Sequence, residues 1–157
     1  MPGFEAIYRQ TVTLFNRKIE NGVMYWHPNV LRGVHLIVDK SIVIATYGEH
    51  ATDNAKLHVR YFNSEEGEMI RTDYGDKKYM PPKQFKSEGD ADTNITFAFG
   101  DEFDFIIEGE YDNLGVVNDS GYKNGFFNYM NKTYDNVFAI TNVSKFHLIP
   151  HFEILAR

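Results

Sequence analysis

Alternating apolar and polar residues predict short β-strands along most of the chain. In Tyr8–Lys18 the apolar Val12 and Leu14 alternate with Thr11 and Thr13, the period of two expected of a strand with one buried face. Further segments rich in β-branched and aromatic residues are predicted as strands: Met24–Val38, Ile42–Tyr47, Leu57–Phe62, Ile95–Phe99, Phe103–Glu108, Val137–Val143 and Ile149–Leu155. Strands therefore dominate the predicted structure.

Glycine and proline indicate where the first strands turn and bend. Asn21-Gly22 separates the first two strands, and this dipeptide is among the strongest signals for a tight β-hairpin. Pro28 predicts a strand start, an edge position or a bulge, because proline has no backbone N–H to donate. Gly33 predicts a further bulge.

One segment, Tyr122–Tyr134, has the periodicity of a helix instead. Its apolar residues recur along one helical face: Phe126, Phe127, Met130 and Tyr134. Because strands outnumber this helix and do not alternate with helices, we expect a mainly β fold. The prediction is a single antiparallel β-barrel or sandwich over residues 1–157, with one short helix.

The segment Ser64–Asn94 interrupts the strand pattern. It is dense in charge, contains three glycines and includes Pro81-Pro82, so we predict a long loop or insertion. The centre of the segment is apolar enough to dock on another protein. We therefore predict a partner interface made by Tyr79, Met80, Pro81, Pro82 and Phe85.

Composition and charge exclude several functions. The chain has no cysteine, which removes disulfides, thiolate catalysis and cysteine-ligated zinc. Its 22 acidic and 16 basic residues give a net charge of −6, whereas binding through nucleic-acid phosphates needs a basic surface. The N-terminal residues do not have the pattern of a signal peptide, and no run approaches the roughly 20 apolar residues that span a bilayer. We expect no membrane contact and no sequence-specific nucleic-acid binding.

The sequence contains no recognisable catalytic motif. A nucleophile elbow, a phosphate-binding loop and a dinucleotide fingerprint are all missing, so we expect no enzyme activity, no catalytic residues and no cofactor. His151 and Glu153 would share a strand face, while His147 would lie about 13 Å from His151 at ~3.3 Å per residue. Ordinary solvated or hydrogen-bonded side chains are the favoured interpretation, and no metal ion is expected. Asp90–Asn94 has the opening spacing of a calcium loop but lacks its glycine, which favours a charged turn leading into a strand.

A family likeness extends over nearly the whole length of the chain. It is carried by Thr11–Asn16, Tyr25–Val34, Lys78–Phe85, Gly125–Val137 and Ile149–Ile154. In these segments the chain resembles small proteins encoded in phages and prophages of Gram-positive bacteria, in the structural genes between capsid and tail. A looser likeness, to head–tail joining or head-closure (stopper) proteins, lies in the opening strand, the following tryptophan and the strand Val137–Val143. The chain is longer than those proteins, chiefly through Ser64–Asn94 and Tyr122–Tyr134.

The resemblance implies a structural, non-catalytic virion component at the phage neck. Its partners would be portal, adaptor or tail-side proteins, and it would form a homo-oligomeric ring through which DNA passes. It would be found in the virion, and in the host cytoplasm during assembly. A minor capsid or tail-completion protein is an alternative. A carbohydrate-binding β module is another, and it would group exposed aromatic residues on one sheet face.

Overall fold

A computed structural model of the chain describes residues 7–38, 54–112 and 115–157. The predicted strand Ile42–Tyr47 lies outside these residues. The strands are β1 (Gln10–Glu20), β2 (Val23–Ile37), β3 (Ala55–Arg60), β4 (Phe62–Ser64), β5 (Gly67–Thr72), β6 (Gly75–Tyr79), β7 (Asn94–Ile95), β8 (Phe105–Glu108), β9 (Val117–Asn118), β10 (Val137–Phe146) and β11 (His151–Ala156). The helices are α1 (Pro82–Glu88) and α2 (Phe126–Thr133), and a 3-10 helix covers Asp119–Gly121.

Six strands close into an antiparallel β-barrel. Their order is β1–β8–β10–β11–β3–β2, and β2 pairs with β1 again to complete the ring. Closure pairs the two strands that would otherwise be sheet edges, which removes exposed hydrogen-bonding groups that could recruit other chains. The predicted mainly β fold is confirmed, in its barrel form.

The β1–β2 hairpin forms as its glycines predict. Asn21 and Gly22 both have positive φ, 53° and 77°, as a type I′ turn requires. Gly33 has φ 67° and lies where the register between β1 and β2 shifts, so the predicted bulge is confirmed. Pro28 pairs with Phe15 of β1. On its other side, this stretch of β2 pairs with no strand among the described residues, so Pro28 occupies a local edge position.

The segment 64–94, predicted as a long loop or an insertion, contains regular secondary structure, so the loop form of that prediction is wrong. It contributes β5, β6 and β7 to a second, four-stranded sheet with the order β4–β5–β6–β7, and α1 lies between β6 and β7 along the chain. The charged residues that suggested a loop lie mainly on the solvent side of this sheet, while Ile70 faces the barrel core. Pro82 begins α1, a position where the missing N–H and fixed φ of proline suit a helix start.

A glycine ends α1 for a steric reason. A Cβ at Gly89 would lie 2.8 Å from the backbone oxygen of Phe85 and 2.9 Å from its Cα, so the chain crosses Phe85 too closely for any side chain. This contact holds Phe85, which is fully buried, beneath the end of the helix. The helix was not predicted from the sequence, because Pro81-Pro82 indicated a loop.

Among the described residues, two apolar clusters hold the fold together. The larger fills the barrel with alternate strand residues such as Leu14, Leu57 and Ile106, and the second sheet packs on it. The smaller lies outside the barrel wall, where Phe126 and Met130 of α2 cover Phe15 and related aromatic residues. The predicted helix is confirmed as α2, and it packs on its own barrel. No helix among residues 7–38, 54–112 and 115–157 is long and apolar enough to cross a membrane.

Candidate functional site

The turn between β10 and β11 leaves apolar side chains in water. Leu148 is 98% exposed, Ile149 51% and Phe146 44%. Turns are usually made by small polar residues, because an apolar side chain left in solvent forgoes the free energy of burial. We call Phe146–Ile149 the apolar tip.

The apolar tip is tied to the barrel by one buried side chain. The hydroxyl of Tyr61 donates a hydrogen bond to the carbonyl oxygen of Phe146 at 2.9 Å and lies 3.3 Å from Nδ1 of His147. The backbone N–H of Tyr61 donates to the carbonyl of Pro150 at 3.3 Å on the other side of the turn. A turn fixed from both sides loses little conformational entropy on binding, which favours a docking role.

A second apolar surface lies between α1 and the loop that precedes β8. The open groove has a volume of about 800 Å³. Phe99, which is 50% exposed, is its largest apolar side chain. The remaining lining residues are Pro81, Pro82, Lys83, Lys86, Ala98, Asp101 and Glu102. We call this the proline groove.

The five residues predicted as a partner interface divide between this groove and the core. Pro81 and Pro82 line the groove, and Met80 is half-buried beside them. Tyr79 packs on the chain's own Phe152, with ring centroids 4.5 Å apart. Phe85 is fully buried within the chain, so its predicted burial in a partner is wrong. An apolar residue in a short amphipathic helix serves its own core first, and the sequence did not reveal that helix.

A buried carboxylate lies beneath the proline groove. Asp104 is completely buried and accepts four hydrogen bonds. The donors are the backbone N–H groups of Arg17 (2.8 Å) and Ala98 (2.9 Å), Nδ2 of Asn16 (3.0 Å) and Nζ of Lys86 (2.9 Å). Because its oxygens are occupied and inaccessible, this carboxylate holds the loop and α1 in place and does not reach a solute in the groove.

A network of side-chain hydrogen bonds continues from Asp104 through the barrel to the second sheet. Asn29 Nδ2 donates to Asn16 Oδ1 at 3.3 Å, and Lys77 Nζ donates to Asn29 Oδ1 at 2.6 Å. Lys77 also donates to the carbonyl of Ala91 at 2.8 Å. This hydrogen-bond network therefore joins the barrel to β6 and to the turn before β7, and each buried polar group in it has a partner.

Burial shifts the pKa values of Asp104 and Lys86, the ion pair beneath the groove. Burial raises the pKa of Asp104, and the nearby Lys86 ammonium opposes that change. Burial likewise lowers the pKa of Lys86, while the Asp104 carboxylate acts in the opposite direction. Each partner therefore stabilises the charged form of the other in a place where neither would ionise easily alone.

A row of rings crosses the outside of the barrel next to the apolar tip. Phe146 stacks on His151 with centroids 4.9 Å apart, His151 on His58 at 5.4 Å, and His58 on His35 at 5.6 Å. Within the described ranges one group could hold a metal ion, and it consists of His58, His151 and Glu153. The shared face of His151 and Glu153 was predicted from the sequence. His58 was missed because strand order decides which side chain lies beside them.

Comparisons with known proteins give a family and no function. No curated protein and no solved structure is significantly similar to the chain. A family described as a family of unknown function, DUF6751, matches residues 7–157, which include the barrel, the second sheet, the apolar tip and the proline groove. The chain belongs to this family of unknown function, DUF6751.

Proposed function

We propose that the protein is a structural, non-catalytic component of a phage virion, a head–tail joining or head-completion protein that docks on neighbouring ring proteins. The observation that carries the proposal is the apolar tip, where Leu148 is 98% exposed on a firmly anchored turn. The resemblance of the sequence to phage structural proteins supplies the biological setting. Portal, adaptor or tail-side proteins are the proposed partners, in the virion and during assembly in the host cytoplasm.

The apolar tip has enough surface to contribute measurably to binding. Full burial of one leucine, isoleucine or phenylalanine side chain is worth about 1.5–3 kcal/mol. Contiguous apolar side chains on a surface mark sites of protein interaction more often than chance exposure does. The proposed contact inserts Leu148 and Ile149 into a neighbouring subunit, with Phe146 at its edge.

The two apolar surfaces are separated along one strand. The backbone N–H of Ile140 in β10 donates to the carbonyl of Asp104, which lies beneath the proline groove. Phe146, at the apolar tip, lies six residues further along the same strand. At ~3.3 Å per residue this separation is about 20 Å. A subunit with docking surfaces at two ends of its barrel suits a position between neighbours.

The closure of the barrel and the net negative charge agree with this proposal. The six barrel strands pair with one another, so association through the barrel would use side chains and turns. A net charge of −6 disfavours binding to DNA phosphates, which a channel component that passes DNA should avoid.

The glycan-binding alternative is less well supported. It requires exposed aromatic side chains grouped on one sheet face. Among the described residues the exposed aromatic side chains lie on separate elements: Tyr74 in a turn, Phe99 in a loop, Tyr129 and Tyr134 in and after α2, and Phe146 in β10. A minor capsid or tail-completion role would use the same surfaces and differs only in the partner.

A complementation experiment tests the proposed role. The gene is deleted from the phage or prophage that encodes it, and wild type or Leu148→Ser is supplied in trans. We expect the deletion and Leu148→Ser to yield separate heads and tails under the electron microscope, and wild type to yield joined particles. Val116→Ser, a substitution at a 56% exposed apolar residue away from the tip, is the matched control and should support assembly. Normal joined particles from the deletion would refute the proposal.

A further inference from the structure

We propose that His58, His151 and Glu153 form a binding site for a divalent transition-metal ion of the zinc type on the outer face of the barrel. The inference is independent of the proposed role in a virion, since it depends only on the geometry of these three side chains.

Strand pairing brings the three side chains together. His151 and Glu153 are two residues apart on β11, so both point to the outer face. His58 on β3 is the direct cross-strand partner of Glu153, and its neighbours on both sides, Leu57 and Val59, face the core. One strand therefore supplies two ligands and its neighbour the third, at adjacent positions of one surface.

The ligand atoms are close enough for one ion after small side-chain rotations. One nitrogen of each imidazole and one carboxylate oxygen all lie within 4.8 Å of one another. Zinc binds nitrogen at about 2.0–2.1 Å and carboxylate oxygen at about 2.0–2.2 Å, which puts tetrahedral ligands about 3.4 Å apart. Two imidazoles and one carboxylate are a known zinc ligand set that leaves a fourth position open.

The orientation of His151 is already fixed in the manner of a metal ligand. Its Nδ1 lies 2.7 Å from the carbonyl oxygen of Ile149, so Nδ1 carries the hydrogen and donates it. The other nitrogen, Nε2, then has its lone pair available. A backbone carbonyl that accepts the second ring N–H is the usual outer-shell partner of a metal-bound histidine.

A positively charged side chain neighbours the three proposed ligands. The ammonium of Lys56 lies 3.8 Å from a carboxylate oxygen of Glu153 and must move aside when a cation binds.

Zinc titration of the tag-free, chelator-treated protein by isothermal calorimetry tests the site. We expect one zinc ion per chain, and at least about tenfold weaker binding after His58→Ala, His151→Ala or Glu153→Gln, since even outer-shell substitutions cost 10–100-fold. The matched control is His27→Ala. This ring pairs with Glu20 and is not one of the three ligands, so the substitution should leave the affinity within about threefold.

Two further measurements keep the result independent of folding defects. Thermal unfolding in excess chelator checks that each variant is folded. In the wild-type protein, zinc should shift the imidazole NMR signals of His58 and His151 while those of His27, which pairs with Glu20 elsewhere, stay in place. The proposal is overturned if the wild type binds no zinc, if His58→Ala binds as tightly as wild type, or if zinc shifts His27 and not His58.

Discussion

Replacing Lys86 by methionine should destabilise the protein by several kcal/mol. The ammonium of Lys86 donates to Asp104 at 2.9 Å and to the carbonyl of Arg17, and the side chains of Lys86 and Asp104 are 15% and 0% exposed. Methionine keeps the aliphatic stem and removes the charge. The buried Asp104 carboxylate then retains three neutral donors and loses the ammonium that pairs with it.

Removing one partner of a buried ion pair costs about 3–5 kcal/mol, because the remaining charge is uncompensated. With a urea dependence of about 2 kcal/mol/M, the midpoint of unfolding should fall by roughly 1.5–2.5 M at pH 7. The control is Lys83→Met, one turn earlier on α1 and exposed, which should change stability by less than about 0.5 kcal/mol. A midpoint shift for Lys86→Met no larger than that of Lys83→Met would refute the reasoning.

The stability lost in Lys86→Met should also depend on pH. Without the ammonium, the folded-state pKa of Asp104 rises further above its unfolded value of 3.8. A carboxyl whose pKa is raised by folding favours the folded state below its unfolded pKa, and this contribution is lost as the pH rises through the folded pKa. The difference between wild type and Lys86→Met should therefore be largest near neutral pH and shrink on acidification. A stability difference that grows on acidification would contradict the role of Lys86 as the partner of the Asp104 carboxylate.

Three further substitutions test the packing. Phe85→Ala should lower the free energy of unfolding by about 3–5 kcal/mol in urea titration, because the ring is fully buried under Gly89. Gly33→Ala should cost about 1–2 kcal/mol, since φ 67° is strained for alanine although space exists around the Cβ; an unchanged midpoint would argue against the bulge. Asp119→Ala should lower the free energy of unfolding by about 1–3 kcal/mol, because Oδ1 of Asp119 accepts hydrogen bonds from the Trp26 indole N–H and from the first backbone N–H of α2, both at 2.9 Å. Near-ultraviolet circular dichroism should report the altered surroundings of the tryptophan. An unchanged signal would argue against this contact.

The mainly β fold could be predicted because the signals for strands and hairpins are local, whereas the choice between a barrel and a sandwich depends on strand order and stayed open. Asn21-Gly22 specifies a hairpin through its positive φ angles, and alternation in β3 specifies which face is buried. The second sheet could not be predicted in the same way. Its strands carry charge on the solvent side, so their composition resembles that of a loop, and Lys77 is buried only because Asn29 and Ala91 accept its hydrogen bonds.

The candidate sites depend on strand order, which the sequence does not encode locally. The exposure of Leu148 follows from the tight turn between β10 and β11. The residues Leu148-Ile149-Pro150 were a signal that could have been used, since apolar residues are unusual in a turn. His58 joins His151 and Glu153 only because β3 pairs with β11, a contact between segments about ninety residues apart.

Quantitative mass spectrometry of purified phage particles tests the central claim most directly. Particles are induced from the strain that encodes the protein, purified by density gradient, and analysed alongside known head and tail proteins. A virion neck component should be present in a constant ratio to the portal protein and should persist through successive gradients. If the protein stays in the soluble fraction while complete particles contain none of it, it is not a virion component, and the apolar tip must serve another partner.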